Sequence, residues 1–203
     1  MTGIVDYGVG NIFSLVSSFD MIGERAILCK DEKALEMCDR VILPGVGAFG
    51  DAKEKLDEAG MGEAVKRQAK SGKPLLGICL GMQLLLDKSY EFGEHAGLGL
   101  IRGSVRPISD VIPKGLPIPH IGWNALDFCD SELFKYIRRG DFVYFVHSFY
   151  AAECDKSVIA TTDYGAPLTA AVADGNVLGV QFHPEKSGRV GLSILRAFCE
   201  IKG

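Results

Sequence analysis

The sequence predicts an α/β protein with a single domain, in which an open, mostly parallel central sheet is flanked by helices and antiparallel strands form in the second half. The first half alternates short apolar runs with longer segments of helical period, and the second half is mainly strand-like. With 203 residues, 47% of them hydrophobic, the chain can bury one large core. No linker or repeat divides it, so we expect one domain over residues 1–203.

The first half predicts repeated strand–helix units. Its strands are short apolar runs, at residues 3–6, 25–29, 40–43 and 74–78. Its helices have apolar residues three or four apart, at residues 12–22, 31–37, 51–71 and 82–89. Asn11 is expected to cap the first helix, and Gly23 and Gly72 to end the first and third.

The second half predicts strands with fewer helices between them. These strands are expected at residues 98–105, 120–126, 142–151 and 157–162, with helices at 131–138 and 189–201. Asp174-Gly175 separates two further apolar runs, 168–173 and 177–182. An Asp-Gly pair in this context favours a tight hairpin, because the turn requires positive φ.

Composition excludes several classes of function. The formal net charge is −4 and charged residues make up 24%, which indicates neither a nucleic-acid face nor a membrane-binding patch. The N-terminus has no basic segment followed by a long apolar run, so a soluble cytoplasmic protein is expected. No cofactor is expected.

The six cysteines contain no C-x-x-C pair, so a disulfide framework or zinc site is not expected. Five are interpreted as small buried hydrophobes, namely Cys29, Cys38, Cys129, Cys154 and Cys199. Three histidines lack the spacing of metal ligands and are interpreted as structural, namely His95, His120 and His147. No metal site is therefore predicted.

Cys79 is the candidate nucleophile. It is the centre of a G-x-C-x-G sequence, residues 77–81, between a predicted strand and a predicted helix, where a sharp turn can lift a side chain above the sheet edge. A helix N-terminus and a nearby imidazolium would both favour the thiolate. Taken alone, the motif is equally consistent with a buried structural cysteine.

His183 and Glu185 are candidates for the groups that activate this thiol. They follow an apolar run directly, and Pro184 between them favours an extended His183. Residues two apart on an extended chain point to the same side, so the imidazole and carboxylate can share one rim. The carboxylate would then orient the ring and stabilise the imidazolium. The alternative is an ordinary surface histidine beside an exposed glutamate.

The glycine-rich loop at residues 44–47 is a candidate oxyanion site. It follows the strand at 40–43 and should lie at the same sheet edge as Cys79. Backbone N–H groups of Val46, Gly47 and Leu80 could be donors to a developing oxyanion, each typically worth roughly 3 to 4 kcal/mol. The alternative is a plain glycine-rich turn. The glycines at 6–11 lack G-x-G-x-x-G spacing, which disfavours nucleotide binding.

Residues 77–83, GICLGMQ, together with residues 182–185, FHPE, resemble the class I, triad-type glutamine amidotransferases. Four further stretches resemble the glutaminase subunits of imidazole glycerol phosphate synthases, at residues 6–11, 44–49, 121–124 and 183–188. This resemblance runs along the whole chain. It implies a flavodoxin-like fold, with Cys79 as nucleophile, His183 as base and Glu185 as the group that orients the base.

The same resemblance implies further roles. Gly47 and Gln83 would contact the substrate glutamine, with backbone contacts from Ser148 and Phe149. The partner would be a (β/α)8-barrel cyclase subunit of imidazole glycerol phosphate synthase, which receives ammonia and makes imidazole glycerol phosphate and an aminoimidazole carboxamide ribonucleotide in histidine biosynthesis. The residues implied to face this partner are Asn11, Trp123, Tyr144 and Lys186. The lone subunit is expected to hydrolyse glutamine poorly until the partner shifts the oxyanion loop.

Three alternatives remain at this stage. A glutaminase of another pathway, such as vitamin B6 synthesis, would share the triad but not the stretches at 44–49 and 122–124. A γ-glutamyl peptidase would act alone on peptides. A non-catalytic subunit would require a broken triad, whereas all three members are present.

Overall fold

The computed structural model describes residues 1–202. Its strands are β1 (Thr2–Val5), β2 (Ala26–Cys29), β3 (Arg40–Gly45), β4 (Leu75–Cys79), β5 (Lys88–Ser89), β6 (His95–Ala96), β7 (Ser104–Pro107), β8 (His120–Ala125), β9 (Asp127–Phe128), β10 (Phe142–His147), β11 (Phe149–Ala152), β12 (Val158–Asp163), β13 (Pro167–Asp174) and β14 (Val177–Val180). The α-helices are α1 (Ile12–Met21), α2 (Glu32–Glu36), α3 (Phe49–Glu58), α4 (Met61–Lys70), α5 (Leu80–Leu84) and α6 (Gly188–Glu200). Short 3₁₀ turns cover Ile108–Asp110, Glu132–Phe134 and Pro184–Lys186.

An eight-stranded sheet forms the centre, in the order β2-β1-β3-β4-β14-β13-β12-β9. The strands from β2 to β14 are parallel, and β13, β12 and β9 continue the sheet antiparallel. A two-stranded ribbon of β8 and β10 and a four-stranded sheet of β11, β7, β5 and β6 pack beside it. This confirms the predicted fold class, including the change to antiparallel pairing in the second half.

Strands β4 and β14 are wholly apolar because both faces of the sheet are covered. Leu75 belongs to the hydrophobic cluster that includes α3 and α4 residues, whereas Leu76 and Ile78 belong to the cluster on the other face, with Phe19 of α1 and Phe198 of α6. Alternating strand residues therefore enter different cores. Among residues 1–202, the structure has no helix with the length and apolar character required to cross a membrane.

The predicted hairpin is present, but its loop lies one residue further along. Asp174 pairs with Val177, so the two loop residues are Gly175 and Asn176, with Gly175 at φ 57°. The Asn176 side chain donates hydrogen bonds to the carbonyls of Ala69 and Lys73, both at 2.8 Å. These bonds attach the turn to the end of α4 and the loop that leads to β4.

The helix predicted at 51–71 is two helices, α3 and α4. Gly60 separates them with a left-handed conformation (φ 67°) that a continuous helix cannot contain. The helix predicted at 131–138 is only a 3₁₀ turn, where the Ser131 hydroxyl accepts a hydrogen bond from the Leu133 N–H. Asn11 does precede α1, but its side chain makes no capping hydrogen bond; its carbonyl accepts from the Leu15 N–H instead.

The predictions for residues 82–105 were wrong in their boundaries. Helix α5 ends at Leu84, because the Leu84 and Leu85 carbonyls accept hydrogen bonds from the backbone of Leu98 and Leu100 instead of continuing the helix. Residues 98–103 therefore cap α5 and are not a strand, which begins only at Ser104. The short strands β5, β6 and β9 were not predicted, and the strand predicted at 142–151 is interrupted at Ser148.

Candidate active site

Cys79 occupies a strained turn between β4 and α5. Its backbone has φ 55° and ψ −112°, a conformation that non-glycine residues seldom adopt. The flanking glycines make the turn possible: a Cβ at Gly77 would lie 2.7 Å from the Gly81 backbone, and one at Gly81 would lie 1.9 Å from the Leu43 carbonyl oxygen. The G-x-C-x-G spacing is therefore required by close packing between β3, β4 and α5.

His183 and Glu185 meet directly, although by a different geometry from the one predicted. The strand ends at Val180, and Pro184–Lys186 forms a 3₁₀ turn that folds Glu185 back toward His183. Glu185 Oε1 lies 2.8 Å from His183 Nδ1, and the two side chains are only 1% and 2% exposed. The Ser187 hydroxyl donates a hydrogen bond to the His183 carbonyl at 2.6 Å, which stabilises the turn.

Cys79 lines the same pocket as His183 and influences the ionisation of its ring, so the structure brings the three predicted residues together. Burial by itself would lower the pKa of His183. The proximity of Cys79, together with the hydrogen bond to Glu185 and its negative charge, outweighs burial and raises the pKa to about 9. At neutral pH the ring is therefore an imidazolium beside the sulfur.

A pocket of about 270 Å³ opens at Cys79, at the carboxyl edge of the parallel strands. All the predicted oxyanion and substrate residues line it alongside Cys79 and His183, namely Val46, Gly47, Leu80, Gln83, Ser148 and Phe149. Gly47 has φ 90°, which only glycine adopts readily. The buried Tyr7 hydroxyl donates to the Pro44 carbonyl at 2.8 Å and so anchors the start of the glycine-rich loop at residues 44–47.

Two polar residues of the site, Glu91 and Gln181, were not predicted from the sequence. Glu91 lines the pocket, and its carboxylate accepts a hydrogen bond from the Phe49 N–H at 2.6 Å. Burial raises the pKa of Glu91, although this hydrogen bond opposes the effect. Gln181 is fully buried, with its Nε2 3.7 Å from Cys79 Sγ. Strand alternation could have found it, since Gln181 is two residues before His183; no pattern marks Glu91.

The structure groups three of the four predicted partner residues on one surface. Trp123 on β8 is 54% exposed and packs edge-on against Tyr144 of β10, with ring centroids 6.1 Å apart. Lys186 Nζ lies 5.9 Å from the Tyr144 ring centroid. Asn11, the fourth, lies at the start of α1. We call Trp123, Tyr144 and Lys186 the aromatic face.

Not all of the remaining sequence interpretations hold. Cys129 is exposed, so it is not a buried hydrophobe, whereas the other four structural cysteines are buried. His120 and His147 are both buried, and their rings form a hydrogen bond with each other. His147 also lines the pocket. Among residues 1–202, the structure contains no group of three His, Cys, Asp or Glu side chains that could hold a metal ion.

A thiol on a strained strand–helix turn, with a buried imidazole and carboxylate beside it at the edge of a parallel sheet, is typical of an α/β enzyme that uses a cysteine nucleophile. The family model for class I glutamine amidotransferases matches residues 4–201. The chain is 51% identical to the imidazole glycerol phosphate synthase subunit HisH of Wolinella succinogenes, over 99% of this chain and 100% of that protein. It is 45% identical to the HisH subunit of Aquifex aeolicus, over 97% and 95%.

Solved structures show the same fold. A crystal structure of a glutamine amidotransferase superimposes with a TM-score of 0.76 at 20% identity, over 98% of this chain and 97% of that one. The structure of PurLQS from Thermotoga maritima gives a TM-score of 0.72 at 21% identity, over 98% and 96%. The chain therefore belongs to the class I glutamine amidotransferase family, within the group of HisH subunits of imidazole glycerol phosphate synthase.

Proposed function

We propose that this chain hydrolyses glutamine to glutamate and ammonia and delivers the ammonia to a cyclase subunit. The observation that carries the proposal is the hydrogen-bonded pair of His183 and Glu185 beside Cys79 at one pocket, in a chain 51% identical to a HisH subunit. Cys79 would be the nucleophile, His183 the acid and base, and Glu185 the group that orients His183.

In the first step, the Cys79 thiolate attacks the side-chain carbonyl carbon of glutamine and a C–S bond forms. The carbonyl oxygen becomes an oxyanion, which the N–H groups of Val46, Gly47 and Leu80 would stabilise as donors. The His183 imidazolium then gives its Nε2 proton to the departing nitrogen. The C–N bond breaks, ammonia leaves, and a γ-glutamyl thioester remains on Cys79.

In the second step, water hydrolyses this thioester. Neutral His183 accepts a proton from the water as its oxygen attacks the acyl carbon, and the C–S bond breaks to release glutamate. The imidazolium and the thiolate are thereby regenerated. Glu185 keeps its negative charge throughout and holds the ring by its bond to Nδ1.

The pocket supports glutamine as the substrate through its charge distribution. Glu91 is the acidic residue of the lining, and its carboxylate would bind the α-ammonium group of the amino acid. Gly47, Gln83 and Ser148 would contact the rest of the substrate. The Phe149 carbonyl already accepts hydrogen bonds from Gln83 and His147, so any contact from Phe149 would come from its N–H or its ring.

The partner would be a (β/α)8-barrel cyclase subunit that uses the ammonia to make imidazole glycerol phosphate and an aminoimidazole carboxamide ribonucleotide in histidine biosynthesis, in the cytoplasm. Two relatives of this chain are named as HisH subunits of imidazole glycerol phosphate synthase. The aromatic face, together with Asn11, would contact the cyclase. Tryptophan and tyrosine, the residue types of Trp123 and Tyr144, are enriched at protein interfaces.

Cys79→Ala in the reconstituted complex tests the proposal. Glutamine-dependent synthesis should vanish, while synthesis from added ammonium salts should persist, because the cyclase remains intact. Cys129→Ser, at the exposed cysteine, is the matched control and should keep both activities. Ammonia release should also be low without the cyclase. Retention of glutamine-dependent synthesis by Cys79→Ala would refute the assignment.

A further inference from the structure

Gln181 is a second polar side chain beside the sulfur of Cys79. Its side chain is fully buried, and its Nε2 lies 3.7 Å from Cys79 Sγ, within hydrogen-bond distance for sulfur. If the amide nitrogen of Gln181 faces the sulfur, it donates an N–H to the thiolate. If the amide oxygen faces the sulfur, the oxygen repels the thiolate. The function of Gln181 therefore depends on which end of its carboxamide faces Cys79.

Neighbouring hydrogen bonds decide this orientation. The Phe149 carbonyl oxygen can only accept, so the Gln83 atom 3.2 Å from it is the amide nitrogen. The same nitrogen lies 2.9 Å from the Gln181 side chain, which must therefore present its oxygen to Gln83. The Gln181 nitrogen is then directed at Cys79. The reversed carboxamide would place two N–H groups against each other in a buried site.

Two buried imidazoles reinforce the anchor at Phe149. His147 Nδ1 lies 2.8 Å from the Phe149 carbonyl oxygen, so this nitrogen carries a proton and Nε2 is the acceptor. His120 Nδ1, 3.0 Å from His147 Nε2, must then donate. The Asn124 amide completes the series by donating to His120 Nε2 at 3.4 Å and to the Asp163 carbonyl at 2.7 Å.

This arrangement requires both rings to be neutral, since a second proton on either ring would leave two donors facing each other. Burial is the largest influence on each ring and lowers the pKa of both His120 and His147 to about 4. The series of hydrogen bonds from Asn124 to Cys79 is therefore complete at neutral pH. It begins on β8, the strand that carries Trp123.

We propose that Gln181 is a further catalytic residue, which donates an amide N–H to the Cys79 thiolate, and that Gln83, His147 and His120 are positioning residues that hold its carboxamide in the donating orientation. The role of Gln181 in turnover rests on the proposed glutamine hydrolysis, whereas the effect of Gln181 on the sulfur of Cys79 does not.

The Gln181 amide complements His183 chemically, because it does not ionise at the pH of the reaction and so keeps its N–H donors. His183 must give up its proton to the departing ammonia, after which it no longer stabilises negative charge on sulfur. Gln181 remains a donor at that stage. When the thioester breaks and the electron pair of the C–S bond returns to sulfur, the amide N–H is already in place for the leaving thiolate.

Alkylation of Cys79 by iodoacetamide tests the proposal without glutamine. Only the thiolate reacts, so Gln181→Met, which keeps a similar shape but has no N–H donor, should slow alkylation at pH 7 by about five- to tenfold and shift the pH midpoint of the rate profile upward. The experiment uses a Cys129→Ser background and follows the Cys79 peptide by mass spectrometry. Gln68→Met, at a buried glutamine on α4, is the matched control and should leave the profile unchanged.

Other titratable groups also face Cys79 and are unchanged in this comparison. They are His183, which follows β14, Tyr7, which follows β1, and Glu91 and His147 in the pocket. A parent-like profile in a folded Gln181→Met protein would overturn the proposal. A shifted profile together with glutamine-dependent synthesis in Cys79→Ala would refute the proposed function but support the sulfur contact.

A measurement on the parent protein covers the case in which Gln181→Met does not fold. In ¹⁵N-labelled protein, the side-chain NH₂ resonances of Gln181 should move with the same pH midpoint as Cys79 alkylation; resonances that do not respond would overturn the proposal. His147→Leu and His147→Asn then test the positioning residues. His147→Leu removes the hydrogen-bond donor to the Phe149 carbonyl. His147→Asn can keep a donor at the Nδ1 position, so it should recover at least half of the alkylation rate that is lost in His147→Leu. Equal rates in the two variants would contradict the positioning role.

Discussion

Glu185→Gln should greatly reduce glutamine hydrolysis while leaving the fold intact. The glutamine side chain has nearly the same shape, and its Oε1 can still accept the hydrogen bond from His183 Nδ1, now 2.8 Å long. The variant therefore removes a negative charge and little else. Its effect measures how far that charge stabilises the imidazolium of His183.

The size of the effect follows from the pKa of His183. A rise from 6.5 to about 9 corresponds to about 3 kcal/mol of imidazolium stabilisation, achieved against the opposing effect of burial. Cys79 and Glu185 are the two sources, so with Glu185 neutral the pKa of His183 should fall clearly below 9 while the Cys79 contribution remains. A loss of about 1 to 2 kcal/mol, the part supplied by Glu185, would lower kcat/KM about 5- to 30-fold.

Ammonia release by the reconstituted complex measures kcat/KM, and NMR titration of the His183 ring measures its pKa. The alkaline limb of the activity profile should also move to lower pH, since the imidazolium is lost earlier as the pH rises. Glu132→Gln, at an exposed glutamate paired with Lys135, is the control and should change neither quantity. The reasoning is refuted if His183 in Glu185→Gln still titrates near pH 9.

Two further predictions concern stability. Burial lowers the pKa of His120 and of His147 to about 4 in the folded protein, against 6.5 in the unfolded chain. Between pH 6.5 and 4 the unfolded state therefore binds more protons, and the free energy of unfolding should decrease by a few kcal/mol as the pH is lowered through that range. His183, with a folded pKa of about 9, contributes its full stabilisation below pH 6.5 and loses it as the pH rises through 9. The free energy of unfolding, measured in urea, should therefore be highest near pH 6.5. A highest value at pH 4.5 would contradict this. Gly81→Ala should destabilise by about 3 kcal/mol or more or prevent folding, because its Cβ would lie 1.9 Å from the Leu43 carbonyl oxygen. Gly140→Ala, with positive φ but open space, should lose only about 1 kcal/mol by thermal unfolding, and equal losses would show that the close approach at Gly81 is unimportant.

The features predictable from the sequence are those set by short-range chemistry. The sharp turn at Cys79 follows from glycines on either side of it, and the hairpin after β13 follows from its turn residues. The apolar run of β4 indicates a strand covered on both faces. In each case the residues that determine the structure are neighbours in the chain.

The remainder depends on partners that are distant in sequence. Helix α5 stops at Leu84 because the Leu98 backbone takes the hydrogen bond that a longer helix would need. Glu91 reaches the pocket from a loop whose sequence has no periodicity, held by the Phe49 N–H. Similarly, the pairing of His183 with Glu185 was expected for the wrong reason, since a 3₁₀ turn brings them together instead of strand alternation.

The register between β4 and β14 explains how one short segment supplies several groups to the site. Val180 pairs with Ile78, so the next residue on each strand places Gln181 beside Cys79. The backbone N–H of Gln181 donates a hydrogen bond to the Ala170 carbonyl of β13, which holds the segment from the other side. A slip of one residue would exchange the two faces of β14 and remove both Gln181 and His183 from the sulfur. Correct assembly of the site therefore requires the same strand pairing that buries the core, and variants that weaken this pairing should lose activity along with stability.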